Sequence, residues 1–211
     1  MSNIVNKLYD SYSDAVSAIN ALENAGISHN DISIVANNVD NKNDPMKKID
    51  TDKVEDPTEK NAGAKGAGGG AAAGAVAGGG VGLLAGLGML AIPGVGPVVA
   101  AGWLIATAAG AAVGATAGAA TGGIVGRLTE YEVSKDDAEF YAEAIRRGAA
   151  LVSVKASDKE IAKVEQILRQ FNAVDPAARR AAYAEKDWTS FDAKAPAYTA
   201  AQIEAERSLY R

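Results

Sequence analysis

The sequence predicts an α+β fold: a split ferredoxin-like α/β frame interrupted by a Gly/Ala-rich helical hairpin and followed by a C-terminal helical tail. Two observations support it. The 211-residue chain carries 21 Lys and Arg and 26 Asp and Glu, and all of them lie outside residues 66–126. Strand-like and helix-like patterns also alternate on both sides of this uncharged segment. The predicted regions are the two frame halves 1–36 and 128–175, the polar linker 37–65, the hairpin 66–127 and the tail 176–211.

The first half of the frame is predicted as strand, helix and strand. Residues 4–9 have the apolar character of a short strand. Ser11 and Ser13 offer N-caps for a helix that Gly26 would end. Residues 32–35 alternate as a strand does. The linker 37–65 that follows is polar and of mixed charge, which predicts a mobile segment.

The second half is predicted as helix, strand, helix and strand. Ser134 begins a helix in the manner of a capping box, and Gly148 ends it. Residues 151–154 alternate as a second strand. The Ser157-x-x-Glu160 pattern is a capping box that begins the next helix, and residues 171–175 form a candidate last strand. Since neither half can bury a good core alone, the halves are expected to pack together.

The tail contains two predicted helices. One follows Asp175, and the other begins at Thr199, where Gln202 completes a capping-box pattern. Helices this short are not stable alone. They are therefore expected to dock, and the sequence leaves open whether they dock on the frame or on a neighbouring subunit.

Ten glycines recur at every fourth position of the uncharged segment, in two runs that we call the glycine ladders. Residues four apart lie on one face of a helix, and small residues there let helices approach closely, as in membrane proteins. In water each glycine would cost a helix about 1 kcal/mol relative to alanine, so close helix contact, lipid or both must compensate. Two helices are predicted, at about 70–92 and 97–126. The predicted helix-packing residues are Gly70, Gly74, Gly78, Gly82, Gly86, Gly110, Gly114, Gly118, Gly122 and Gly126.

Four residues between the two predicted helices form the expected hairpin turn. Pro93, Gly94, Gly96 and Pro97 lie in a stretch that no straight helix tolerates well. The turn contains no charged side chain. This favours a hairpin tip that dips into a bilayer or is buried in an assembly.

The surroundings of the hairpin have two interpretations. The first predicted helix is as long as a bilayer core requires, whereas residues 107–123 are nearly all Ala, Gly and Thr and suit a protein neighbour better. No long apolar run is present at the N-terminus, so a secretory signal is not expected. We predict a cytoplasmic protein at the inner membrane, with itself and membrane lipid as partners. The alternative is a soluble homo-oligomeric scaffold or shell with the hairpins buried inside.

Composition argues against several functions. A net charge of −5 excludes a broadly basic nucleic-acid binder. The chain has no Cys and one His, which excludes thiolate chemistry and multi-His metal sites. No constellation of residues indicates catalysis, so we predict no enzyme, no catalytic, cofactor-binding or metal-binding residues, and no small-molecule substrate.

Some isolated features have plain interpretations. Residues 66–71 match the dinucleotide fingerprint by letter, but neither the preceding strand nor the following acid is present. His29 is expected in an exposed loop. The acidic residues of the predicted helix after Ser134 suit a helix N-terminus. Three arginines are either contacts for anionic lipid or ordinary cations near helix ends; they are Arg127, Arg146 and Arg147.

Several strings resemble the bacterial heat-induced general stress protein family (YflT-type domain). The longest is LAGLGMLAIPGVGPVVAAGW at 84–103, followed by the Ala/Gly ladder. YAEAIRRG at 141–148 with LVSV at 151–154 resembles a second block of that family. The strings at 188–192 and 195–198 are similar to C-terminal extensions of some members. The resemblance implies a stress-linked role and carries no catalytic residue to this chain.

Overall fold

The computed structural model describes residues 2–40, 88–106 and 123–210. Its strands form one antiparallel sheet and are β1 (Ser2–Tyr9), β2 (Ile32–Asn37), β3 (Gly88–Ile92), β4 (Gly96–Gly102) and β5 (Ala150–Ser157). Their order across the sheet is β1-β5-β2-β4-β3. The mixed α+β class predicted from the sequence is therefore confirmed.

Helices and one 3-10 turn connect and cover these strands. The 3-10 turn is His29–Asp31. The helices are α1 (Tyr12–Asn24), α2 (Trp103–Ala106), α3 (Ile124–Glu130), α4 (Lys135–Arg146), α5 (Ile161–Leu168), α6 (Pro176–Ala184) and α7 (Ala200–Ser208).

Each face of the sheet has its own apolar core. Successive side chains of a strand point to opposite faces, and in β2 both sets are buried. Ile32 and Ile34 belong to the core beneath α1 and α5, which we call the first face. Val35 belongs to the core beneath α3 and α4, the second face. Since both faces are covered, β2 lies at the centre of a three-layer domain.

Local signals at the helix ends work as predicted. The Ser11 side chain accepts a hydrogen bond from the Ser13 N–H, and Ser134 accepts one from the Asp137 N–H. Thr199 and Gln202 form a complete capping box at α7. The predicted starts of these helices are confirmed. They could be predicted from the sequence because a cap involves only residues within one turn.

The helical hairpin prediction is wrong for residues 88–92 and 96–102, which are the strands β3 and β4. Val99 lies opposite Ala36 of β2 in the register, so the main-chain groups of β4 pair with a central strand. In the turn, the Val95 N–H donates to the Ile92 carbonyl at 3.0 Å, and Gly94 has a φ of +75°. A Pro followed by a Gly of positive φ suits a type II turn. The predicted position of the turn is correct, but the segments on either side of it are strands and not helices.

The last predicted strand, 171–175, is also largely wrong. Only an isolated bridge between Tyr9 and Ala173 forms there. The predicted capping box before α5 is half formed: the Glu160 carboxylate accepts from the Ser157 N–H at 3.0 Å, but the helix begins only at Ile161.

The tail docks on its own frame. Tyr183 of α6 is fully buried and lies with Phe140 of α4 in the second-face core. Ile203 of α7 is also fully buried. Docking within the chain, which the sequence left open, therefore orders both tail helices.

Candidate functional site

Of the predicted turn residues, Pro93 and Gly94 lie between β3 and β4, whereas Gly96 and Pro97 are the first residues of β4. The tail crosses this turn. A Cβ atom on Gly94 would lie 2.7 Å from the Cα of Ala193. A Cβ atom on Gly96 would lie 2.8 Å from the Cβ of Ala197. The two glycines thus make room for residues 192–197, which pack against the turn.

The predicted helix-packing glycines lie almost entirely outside the described residues. Gly126 is described, as a half-buried residue of α3. The other nine, Gly70, Gly74, Gly78, Gly82, Gly86, Gly110, Gly114, Gly118 and Gly122, are not. The packing role of the ladders therefore stays a prediction.

A buried ionic cluster joins the end of α4 to the tail. Arg147 Nε donates to Glu143 Oε1 at 2.6 Å, and Arg147 Nη1 to Glu206 Oε1 at 3.4 Å. Lys186 Nζ donates to the other oxygen of Glu206 at 2.8 Å. The Arg147 guanidinium also lies 4.1 Å from the ring centre of Tyr183. Burial opposes the charge on Arg147, but the hydrogen bond and charge of Glu143 raise the pKa of the guanidinium.

Two further arginines anchor the tail to the frame. Arg179 donates to both carboxylate oxygens of Asp10, at 2.8 Å each, and lies 3.5 Å from the ring centre of Tyr210. Arg207 donates to Asp40 at 2.8 Å. Bidentate guanidinium–carboxylate pairs fix geometry as well as charge. These contacts act as structural anchors of the tail.

The arginines considered as lipid contacts are engaged in ion pairs. Arg127 pairs with Glu130 on α3, and Arg146 and Arg147 share Glu143. The side chain of Arg147 is only 6% exposed. The structure thus favours the plain interpretation of these cations.

A row of polar side chains crosses the second face at one end of the sheet. Asn6, Ser153 and Ser33 lie side by side on β1, β5 and β2 in the strand register. Ser153 Oγ donates to Asn6 Oδ1 at 2.6 Å, and Ser33 Oγ to the Ala101 carbonyl at 2.8 Å. Next in the row is Gly102, where a Cβ would lie 2.2 Å from the Ile32 carbonyl oxygen.

An aromatic cluster borders this row. The rings of Trp103 and Tyr131 meet edge to face, with centres 4.5 Å apart. Lys155 Nζ lies 4.4 Å from the first ring centre and 4.9 Å from the second. Such cation–π contacts hold an ammonium group beside apolar surroundings.

An open cleft of about 440 Å³ lies between the start of β1 and the turn that joins α3 to α4; we call it the β1 cleft. Glu132 is in the left-handed region, with a φ of +64°. This conformation ends α3, because the Val133 N–H reaches back to the Leu128 carbonyl at 3.2 Å. The lining residues are Asn3, Ile4, Asn6, Tyr131, Glu132, Val133, Ser134, Asp137 and Tyr141.

Hydrogen-bonding groups dominate the walls of the β1 cleft. Asp137 accepts from Ser134 Oγ at 2.7 Å and pairs with Arg180. Burial, reinforced by the charge of Asp137, raises the pKa of Tyr141, so that hydroxyl keeps its proton and can donate. The cleft therefore offers phenol, amide and carboxylate groups to a polar ligand.

Sequence reasoning did not find this cleft. It treated Asp136 and Asp137 only as acids at a helix N-terminus, where the structure indeed places them. No sequence feature predicts the left-handed backbone of Glu132, because glycine or asparagine is the usual residue in that conformation. His29 lies exposed in its 3-10 turn and takes no part.

Within residues 2–40, 88–106 and 123–210, no group of three or more His, Asp or Glu side chains is arranged to hold a metal ion. Likewise, none of the helices described combines the length and apolar character needed to cross a bilayer.

Comparisons of the chain with protein-family models, curated proteins and solved structures gave no match.

Proposed function

We propose that this chain is a non-enzymatic, self-associating general stress protein whose glycine ladders pack helices of several copies at or in the cytoplasmic membrane. One observation carries the proposal: 61 consecutive residues, 66–126, contain no charge, and within them glycine recurs at every fourth position over 70–86 and 110–126. Small residues at this spacing favour close helix contact in preference to solvent exposure.

The attachment of the ladders supports the proposal. The first ladder, 70–86, runs directly into β3, and the second, 110–126, follows β4 and α2. Both are therefore tethered to the edge of one sheet by the β3–β4 hairpin. The frame then serves as a head that orients the ladders, while residues 88–102 belong to the head.

The frame itself supports the finer fold proposal. β1, α1 and β2 form one strand–helix–strand unit, and β5 and α5 begin a second. The bridge at Ala173 lies next to Tyr9, on the side of β1 away from β5. Counting that bridge as a residual strand gives the arrangement expected of a split ferredoxin-like frame. The stress-linked role rests on the resemblance of the strings at 84–103 and 141–154.

The alternative function is a soluble homo-oligomeric scaffold or shell with the uncharged segments buried inside. It is favoured by the composition of residues 107–123, which contain only small side chains apart from Val113. Such a surface offers lipid little apolar area, whereas its small side chains let a neighbouring protein helix pack closely.

Substitution in the ladders tests self-association. The double variant Gly78→Leu with Gly118→Leu places bulk on both predicted contact faces, and Gly78→Ala with Gly118→Ala is the matched control that keeps them small. Light scattering of the full chain, with and without detergent, should give an oligomer for the wild type and the alanine control but a smaller species for the leucine variant. A wild-type monomer, or a leucine variant of unchanged size, would refute the proposal.

Membrane partition separates the proposal from its alternative. Flotation of the intact protein with lipid after an alkaline carbonate wash is expected for the membrane form. Recovery of a detergent-free oligomer in the aqueous fraction would support the scaffold and refute the membrane location.

A further inference from the structure

Half of β1 has an open edge. β1 is the first strand in the sheet order and pairs with β5 on one edge. On its other edge, the bridge at Tyr9 is the only strand pairing in the described part of the chain. The Leu8 carbonyl points away from β5, because it accepts a hydrogen bond from the Val174 N–H at 2.8 Å on that side. Main-chain groups of alternate strand residues point to the same edge. Those of Ile4 and Asn6 therefore also point away from β5.

The open edge borders the β1 cleft. Ile4 and Asn6 line it on one side, and Tyr131 and Tyr141 line it on the other. No described residue adds a strand in this space. An extended segment lying there would meet the outward N–H and C=O groups of β1 in the geometry of a further strand.

Carboxylates flank the edge on both faces of the sheet. Glu132 lies on the second face, in the wall of the cleft. Asp158 accepts from Asn3 Nδ2 at 2.6 Å, and Asn3 belongs to the set of β1 residues that points to the first face. Among the residues described, neither carboxylate has a cation within ion-pair distance. Lys155, which lies opposite Ile4 in the strand register, is held over two aromatic rings.

We propose that the open edge of β1 binds an extended basic peptide of a partner protein, which adds a strand beside Ile4 and Asn6. Main-chain hydrogen bonds provide affinity, and charge provides selectivity. Because successive side chains of a strand point to opposite faces, basic residues of either set would meet Glu132 or Asp158. This goes beyond the proposed self-association, which depends on the glycine ladders, so the two can fail separately.

Amide hydrogen exchange of the full chain, read by NMR, is the direct test. The probe is an N-acetylated octapeptide that alternates valine and lysine. Its addition should slow exchange of the Ile4 and Asn6 amides at least about tenfold, because they gain hydrogen-bond partners. The Val5 amide, already paired to β5, should not change. A valine–glutamate peptide and a backbone N-methylated valine–lysine peptide should each fail to protect the edge.

Two variants probe the same contacts by calorimetric titration with the valine–lysine peptide. Glu132→Gln should weaken binding about two- to fivefold, as expected for one exposed ion pair. Its matched control is Glu130→Gln, two residues earlier in the chain and paired with Arg127, which should bind as the wild type does. Ile4→Pro removes one outward N–H but no bond to β5, and should abolish binding while circular dichroism stays native.

Several outcomes would overturn the proposal. One is equal binding of the lysine and glutamate peptides, or no protection of Ile4 and Asn6 by the lysine peptide. Another is strong protection of these amides in the free protein, which would mean that the chain covers its own edge. Protection that rises with protein concentration alone would instead assign the edge to a second copy.

Discussion

Two glycines that end helices show how one residue type serves different needs. Gly26 and Gly148 both have positive φ, +89° and +108°, and both follow a helix whose last turn they close. A Cβ on Gly26 would meet nothing within 4 Å. A Cβ on Gly148 would lie 2.6 Å from Ile203 Cγ2 of α7. Gly148 is therefore a helix stop and also a contact surface for the tail.

Alanine substitutions should separate these roles. Gly26→Ala introduces only backbone strain, about 1 kcal/mol. Gly148→Ala adds a clash with α7, so we expect a total loss of about 2–4 kcal/mol in the free energy of unfolding. Urea denaturation of both variants provides the measurement. Equal losses in the free energy of unfolding would show that α7 does not clash with a Cβ atom at position 148.

At the scale of elements, buried ion pairs fix the tail helices to the frame. The pair of Arg179 and Asp10 connects α6 to the end of β1, and the arginine side chain is 7% exposed while that of Asp10 is 30% exposed. The pair of Arg169 and Glu165, by contrast, lies on the surface of α5 with side chains 65% and 38% exposed. Removing one partner of a buried pair leaves an uncompensated charge, whereas exposed pairs contribute little.

The two pairs should therefore respond differently to removal of the acid. Asp10→Ala should reduce the free energy of unfolding by about 2–3 kcal/mol. The surface control Glu165→Ala should change it by less than about 1 kcal/mol. Thermal denaturation compares them, and a double-mutant cycle with Arg179→Ala isolates the pair. A coupling free energy near zero would contradict the anchoring role of this pair.

Glu206 gives tail docking a dependence on pH. Burial disfavours its charge, but the hydrogen bond from Lys186 and the charges of Arg147 and Lys186 outweigh burial and lower its pKa below the usual 4.5. A carboxylate whose pKa is lowered by folding stabilises the native state above its unfolded pKa. That contribution is lost as the pH falls through the folded pKa.

Acidification below about pH 4.5 should consequently weaken the wild type more than a Glu206→Gln variant. The free energy of unfolding of both, measured from pH 7 to pH 3, should converge at the acid end. Parallel curves over this range would show that Glu206 does not contribute this part of the acid sensitivity.

At the scale of the whole molecule, the tail is part of the domain. The ring centres of Trp188 and Tyr183 lie 5.9 Å apart in the second-face core. Trp103 directly follows β4 and lies beside Lys155 of β5. Frame and tail share this core and the buried charges at Arg147 and Glu206. They should therefore unfold together.

The chain has two tryptophans, which makes this cooperativity measurable. Variants Trp103→Phe and Trp188→Phe each leave one fluorescent probe. For each variant, the denaturation midpoint by tryptophan fluorescence should coincide with that by far-UV circular dichroism. An earlier fluorescence transition when only Trp188 remains would mean that the tail detaches before the frame unfolds.

The elements that sequence patterns predicted well have local causes. The starts of α1, α4 and α7 and the helix stops at Gly26 and Gly148 depend on caps within one turn. The strands β1, β2 and β5 follow from alternating apolar residues bounded by polar ones. Of the candidate site, the predicted turn at 93–97 was located, while the β1 cleft was missed because it joins residues far apart in the chain.

By itself, the sequence determined the uncharged segment 66–126, the paired halves of the frame and most helix boundaries, because each is a matter of composition or of neighbours within a few residues. The tertiary structure decided that 88–102 form strands and that the tail docks on its own frame. Both depend on partners far along the chain: β4 satisfies its main chain against β2, and Glu206 compensates Arg147. Residues 88–102 contain three alanines, four glycines, three valines and two prolines, so their own helix preference is weak. Non-local hydrogen bonds and buried charges decide both features, and no pattern within a few residues specifies those partners.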